Sequence, residues 1–292
     1  MAREYDPAIL KQLQQTELGI LKDFMRVCEE NGLVCFGLAG TGLGAIRHGG
    51  FIPWDDDIDV ALPRQDYEKA LKIFAERYAD KYEVVNAERF KNYPLMTTRL
   101  CLKDSEFVEI PLKKIKCPLG IFLDIYPLDN VAKDKKAHEK QAFTAWIYSK
   151  LLILKHIPFP VLPFSGLKKV LAHIVTACAW AALNVCFISH QHLYRKAKEA
   201  SCRYNGEEAD ALAYFCDTDR HTNFFKKDDI FPLQQMKFED MMMNFPRNQE
   251  QSLRDFYGDF MTLPPVEKRK NHFPYRLRFP GETTVYKEED ED

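Results

Sequence analysis

The residues most able to do chemistry are carboxylates in the run Trp54-Asp55-Asp56-Asp57-Ile58-Asp59-Val60. Asp57 and Asp59 are two apart, and on a strand residues i and i+2 share one face. Their carboxylates would start roughly 6–7 Å apart and could converge at the tips. Asp55 joins them if the strand starts early, while Asp56 faces away. Two ionised carboxylates on one face repel, so either one is protonated or a cation sits between them. Mg²⁺, or Mn²⁺ in its place, suits such a pair because it binds through one or two carboxylates together with substrate phosphates. A second signal is Asp124, embedded in the apolar run Ile121-Phe122-Leu123-Asp124-Ile125-Tyr126. An acid there is costly to bury unless it is paired or holds a metal. If its strand lies beside Ile58–Ala61, Asp57, Asp59 and Asp124 form a three-carboxylate site able to serve an in-line displacement at phosphorus. A solvated acidic turn is the ordinary alternative for such a run.

Upstream lies Ala39-Gly40-Thr41-Gly42-Leu43-Gly44. It reads as a glycine-rich turn, mostly a structural feature on its own, whose backbone N–H groups beside a carboxylate pair could cradle phosphate. Arg47 and His48 follow, within reach of a donor phosphate, though Arg47 could equally cap a short helix. Arg99, on a strand, could reach phosphate or form a surface ion pair. Trp54 could stack on substrate or anchor the strand start.

The elements that must position these residues follow from periodicity. Ile9, Leu13, Ile20, Leu21, Phe24, Met25 and Cys28 predict one long amphipathic helix, stopped by Asn31-Gly32. Leu33–Leu38 and Ile58–Ala61 read as strands, and a helix runs from Asp66 to about Tyr78. Further strands are expected at Tyr82–Val85, Leu95–Leu102, Phe107–Ile110 and Ile121–Tyr126. The first 130 residues are thus an α+β unit, a mixed sheet flanked by helices. Residues 131–227 are expected to be a mostly helical region, helical from 133 to about 213 with a loop broken at Pro158, Pro160 and Pro163. Residues 228–287 mix short strands and one helix near Gln249–Tyr257, and residues 288–292 form an acidic tail.

Composition narrows the classes. With 41 Lys and Arg against 43 Asp and Glu, the formal charge is −2, a poor basis for sequence-independent nucleic-acid binding. The eight cysteines form no CxxC pair, which argues against zinc-ribbon and thioredoxin-type sites. The first ten residues lack the apolar core of a secretory signal, so cytoplasmic residence, including the inner face of a membrane, is the expectation.

The run from Gly40 through Arg47-His48-Gly49-Gly50-Phe51-Ile52-Pro53-Trp54 to Asp59-Val60, followed by Arg64-Gln65-Asp66-Tyr67, closely resembles the signature of the LicD/fukutin family. The likeness continues at Leu123-Asp124-Ile125-Tyr126-Pro127-Leu128-Asp129 and returns at Phe231-Pro232, Phe238-Glu239, Tyr257-Gly258-Asp259, Leu263-Pro264-Pro265 and His272. It departs at Ala39–Gly44, where the family commonly has Gly-Gly-Thr-Leu-Leu-Gly. The resemblance implies a nucleotidyltransferase fold shared with polymerase β, with a helical insertion and a C-terminal segment completing the site. It implies Asp57 and Asp59 as the metal pair and Asp124 as third ligand or base. Gly40 and Thr41 would meet donor phosphates, and Tyr257 and His272 are candidates for contact with base or acceptor. It further implies transfer of a phosphocholine-like group from a CDP-linked donor such as CDP-choline to a cell-surface glycan (teichoic acid or lipopolysaccharide, or a lipid-linked precursor), releasing CMP. A nucleotidyltransferase that releases pyrophosphate, and a catalytically silent glycan-binding protein at a membrane, are the competing readings.

Ile174–Ile188 is a 15-residue stretch with only Thr176 and Asn184 strongly polar. It is shorter than the ~20 residues a span requires. A buried core helix, a segment lying on a membrane surface and a span are the three readings.

Overall fold

The computed structural model describes residues 4–161, 164–284, 286 and 287. Met1–Arg3, Pro163 of the proline-broken loop and the acidic tail 288–292 lie outside the described residues.

The chain opens with α1 (Pro7–Glu30). Asp6 caps it, its Oδ1 accepting from the Ala8 N–H at 2.8 Å, and Pro7 sets the first turn. Its apolar stripe packs Leu13, Ile20, Leu21, Phe24, Val27 and Cys28 into the core. Then come β1 (Phe36–Gly37), α2 (Ala39–His48), β2 (Asp59–Pro63), α3 (Arg64–Arg77), β3 (Tyr82–Val85), β4 (Thr98–Leu102), β5 (Glu106–Glu109) and β6 (Phe122–Asn130). The main sheet has the order β1-β2-β6-β4-β3. Its central pair, β2 and β6, is parallel, and its other neighbours are antiparallel. Strand alternation divides the apolar residues between two faces. Val60, Leu62, Leu100 and Ile125 pack with α1 and α3, while Ala61 and Leu128 join a second cluster.

That second cluster is completed by α4 (Lys135–His156), α6 (His190–Ser201), β7 (Ala211–Tyr214) and β8 (Asn223–Lys226). Between the two helices lies α5 (Gly166–Val185). β7 pairs with the end of β6, and β8 with β7, so the mixed sheet extends beyond residue 130. The remainder is α7 (Lys227–Ile230), the hairpin β9 (Gln234–Phe238) and β10 (Met241–Phe245), α8 (Gln249–Tyr257), and β11 (Pro274–Arg278) with β12 (Tyr286–Lys287). β11 pairs with β5, which ties the C-terminal segment to the first 130 residues.

Four expectations are corrected. The glycine-rich segment 39–44 is helical, forming the first turns of α2. The strand expected over 33–38 is only two residues long, because Leu33 and Val34 are taken up by the exit from α1. The helical character expected to about residue 213 ends at Ser201 and a short turn, and 211–214 is a buried strand. The 174–188 stretch belongs to a longer helix, α5, in which Leu183 is the one buried residue, so it is not a core helix.

Candidate active site

The loop between α2 and β2 brings the acids to the middle of the sheet. Asp59 is the first residue of β2 and pairs in parallel register with Asp124 on β6. The Asp124 N–H donates to the Ile58 carbonyl at 3.0 Å, which fixes the two strand ends side by side. Asp57 lies in the loop, not on the strand, yet it joins them. Asp57, Asp59 and Asp124 each offer a carboxylate oxygen, and these oxygens lie within 4.8 Å of one another. Three hard oxygen donors at this separation fit Mg²⁺ or Mn²⁺ and do not suit a thiophilic metal.

α2 braces this loop. The Thr41 hydroxyl accepts the Asp59 N–H at 2.8 Å, so Thr41 fixes the backbone of a site carboxylate and keeps its own O–H proton to donate. The glycines of α2 are contact positions, not a loose turn. A Cβ on Gly40 would lie 3.1 Å from Asp55 Oδ2, and one on Gly44 would lie 2.3 Å from the Gly50 carbonyl oxygen.

The charges are unequal. Burial and the neighbouring Asp57, Asp124 and Asp55 push Asp59 well above the usual carboxylate range. Burial, with Asp57 and Asp56, does the same to Asp55. Burial also lifts Asp124 to about 6, although Arg99 opposes it. Asp57 is the exception. Burial raises it, but the His272 ring, its Nδ1 3.1 Å from Asp57 Oδ2, overrides that and holds it below its ordinary value. In return Asp57 drives His272 up to about 12, so the half-exposed ring is an imidazolium at neutral pH. Raised acids packed this closely carry a repulsion that a divalent cation would relieve.

Arg99 is corrected on both of its readings. It lies inside the protein, its Nε 3.2 Å from Asp124 Oδ1 and its Nη1 2.5 Å from Glu109 Oε2. Its guanidinium sits 3.8 Å from the centre of the Phe122 ring. It is a buried counter-charge to Asp124, neither a surface ion pair nor a hand extended to phosphate.

The remaining predicted residues divide in two. His272 contacts the acids, and the half-exposed Tyr257 lies within their electrostatic reach. Tyr257, at the end of α8, is raised by burial and then by Asp59, Asp55 and Asp57, which places its hydroxyl in their field. Arg47, His48 and Trp54 form a separate cluster. Arg47 donates to the Phe260 carbonyl at 2.7 Å and to His48 Nε2 at 3.0 Å, and lies 6.0 Å above the Trp54 ring. Trp54 is covered more closely by Arg269, at 4.1 Å.

Residues 32–168 match the family described as LicD/FKTN/FKRP, nucleotidyltransferase domain. This domain belongs to the LicD family. The chain is also similar to the lipopolysaccharide cholinephosphotransferase LicD of Haemophilus influenzae, 25% identical over 274 residues, 90% of this chain and 95% of that protein. It resembles the uncharacterized protein RP689 of Rickettsia prowazekii, 26% identical over 167 residues, 48% of this chain and 59% of that protein. The mixed sheet flanked by helices is the nucleotidyltransferase-like fold of this LicD domain.

Sequence reasoning missed several residues around the LicD carboxylates. Asp56 is completely buried and accepts the Tyr5 hydroxyl at 2.5 Å and the His272 backbone N–H at 2.8 and 2.9 Å. It ties segments from both ends of the chain to the acidic loop. Glu109 ends β5 and its partner Arg99 lies on another strand, so no local pattern marks it. Glu17 on α1 is completely buried, with burial and then Asp56, Asp57 and Asp55 holding it well above its usual value. The signal for Glu17 was present: a carboxylate at i+4 from Leu13 and i−4 from Leu21, in the centre of the apolar stripe.

Proposed function

We propose that this chain is a transferase of the phosphotransferase type that moves a phosphocholine-like group from a CDP-linked donor to a hydroxyl of a glycan, with CMP as the leaving group. The observation that carries the reading is the carboxylate triad Asp57, Asp59 and Asp124 at the parallel strand ends of a LicD nucleotidyltransferase domain. Similarity along almost the whole of a lipopolysaccharide cholinephosphotransferase favours a head-group transfer and a glycan acceptor.

In this reading Asp57, Asp59 and Asp124 hold the divalent ion, Mg²⁺ or Mn²⁺. When bound, that ion supplies charge neutralisation at the donor diphosphate and at the phosphorus under attack. The acceptor oxygen forms a new bond to the phosphorus bearing the head group while the bond to CMP breaks, and the hydroxyl proton must go to a base. Asp124, held by Arg99, is the candidate base for that proton where it does not serve as the third ligand. The imidazolium of His272 balances Asp57 and keeps that carboxylate ionised. Thr41 holds the Asp59 backbone, and Tyr257 reaches the same field from α8.

The test is thermal unfolding of wild type and Asp59→Asn with Mg²⁺ and, in turn, CDP-choline, CDP-ribitol, CDP-glycerol, CTP and ATP. A ligand at 100 times its Kd adds about 2.7 kcal/mol. A metal-dependent rise with one CDP-linked compound, absent in Asp59→Asn, is the expected result. A rise with triphosphates alone would replace the head-group transfer by nucleotidyl transfer with pyrophosphate release. An equal metal response in both proteins would remove the metal site.

A further inference from the structure

α5 is inside out relative to a core helix. Leu167, Val170, Leu171, Ile174 and Val175 recur at spacings of three and four, and Val185 falls three turns beyond Ile174 on the same stripe; each is more than half exposed. The residues turned toward the protein are smaller or polar, among them Ala172, His173 and Thr176. A contiguous apolar stripe left facing water in this way marks an interaction surface.

The charge around it is one-sided. From Lys140 to Lys198 the chain contains no Asp or Glu, although acids are 43 of its 292 residues. The same stretch carries eight Lys and Arg, of which Arg195, Lys196 and Lys198, beyond α5, pair with Glu199, Glu68 and Glu88. Lys168 and Lys169 stand exposed in the first turn of α5 and pair with no carboxylate among the described residues. Cations at a helix N-terminus oppose the helix dipole, so the helix itself gains nothing from them. Their position suits an anion outside the protein.

By length and composition α5 could cross a bilayer. The ends of the insertion forbid it. His156 Nε2 and His190 Nδ1 are 2.8 Å apart, and Lys155 Nζ donates to Asn184 Oδ1 at 2.7 Å. The two ends of the α4–α6 excursion are therefore pinned together. A 20-residue helix is about 30 Å long, and the nine residues 157–165 would have to return across the same distance fully extended. Their backbone N–H and C=O groups would then be bare in hydrocarbon.

We propose that α5 lies in the interface of an anionic lipid bilayer, its Leu167–Val185 stripe among the acyl chains and Lys168 and Lys169 at the headgroup phosphates. A second copy of the chain is the poorer occupant, because its own α5 would bring the same two lysines and no Asp or Glu to pair with them. The proposal is independent of the transferase reading, since it rests on the helical insertion and not on the carboxylates.

The experiment is flotation of the full chain with vesicles of phosphatidylglycerol and phosphatidylcholine, and with phosphatidylcholine alone. Wild type floats with the anionic vesicles, less at high salt. Leu171→Asp with Val175→Asp lowers partitioning at least about ten-fold with the unfolding temperature unchanged, because both positions are exposed. Lys168→Ser with Lys169→Ser lowers it by roughly 30-fold on anionic vesicles and flattens the salt response. Three results would overturn the proposal: no flotation with anionic vesicles, flotation unaffected by the double Asp variant, or vesicle-free self-association that this variant abolishes. The last would assign the stripe to a second copy.

Discussion

Glu17→Gln should make the metal-free protein more stable at neutral pH, by an amount that grows with pH. Glu17 is completely buried, and among the described residues neither of its carboxylate oxygens has a hydrogen-bond partner. In the unfolded chain it titrates near 4.5, whereas burial and the Asp55–Asp57 carboxylates hold it well above that in the folded protein. The sign follows. A raised acid keeps its proton on folding, so its contribution is complete below pH 4.5 and is lost as pH rises toward the folded value. Each pH unit over which the folded acid keeps its proton costs 1.36 kcal/mol, so between pH 4.5 and 7 the cost is at most about 3.4 kcal/mol. Glutamine keeps the shape and the number of unpartnered atoms but does not titrate. The gap between variant and wild type should therefore be near zero at pH 4 and widen as pH rises, within the bound of about 3.4 kcal/mol at pH 7. Urea unfolding in chelator, read by tryptophan fluorescence at half-unit pH steps, measures it. The other raised acids titrate in both proteins and cancel in the difference. Parallel pH profiles, or a variant less stable than wild type at pH 7, would show that Glu17 is ionised and satisfied, and the reasoning would fail.

Arg64→Met should cost about 3–5 kcal/mol in unfolding free energy, because Arg64 holds buried Asp129 with two bonds of 2.8 and 2.6 Å and its loss strands that carboxylate. Adding Asp129→Leu should recover much of the loss, and a double variant no better than the single would refute the pairing. Ala39→Gly should stabilise by about 0.5–1 kcal/mol, because Ala39 opens α2 at a φ of 45°, where a Cβ is strained. A lower unfolding midpoint in that variant would count against the strain.

Legibility followed the range of each interaction. Asp57 and Asp59 stood out because their signal is local, and Asp124 because one acid in an apolar strand needs a reason. Their convergence depends on the parallel register of β2 and β6, which pairs residues 65 apart in sequence and leaves no periodic trace. Arg99 was misplaced for the same reason. Its partners Asp124 and Glu109 come from two other strands, and a strand pattern alone does not tell a buried ion triad from an exposed pair. The glycines of α2 read as a turn by composition, whereas Gly40 and Gly44 are required by contacts with Asp55 and Gly50.

α5 shows the converse. Its apolar sequence is equally compatible with a core and with lipid, because both satisfy the same side chains, so periodicity does not choose between them. Two facts of different origin do. The stripe points away from the fold, which only coordinates reveal. The absence of acids over Lys140–Lys198 was open to inspection in the sequence but carries no meaning until that helix is known to be exposed. A buried helix has no use for a one-signed surround. An exposed apolar stripe bordered by unpaired lysines does, since the lysines add electrostatic attraction to a hydrophobic contact that a single short helix makes weakly on its own. Charge pattern and exposure thus acquire their meaning jointly.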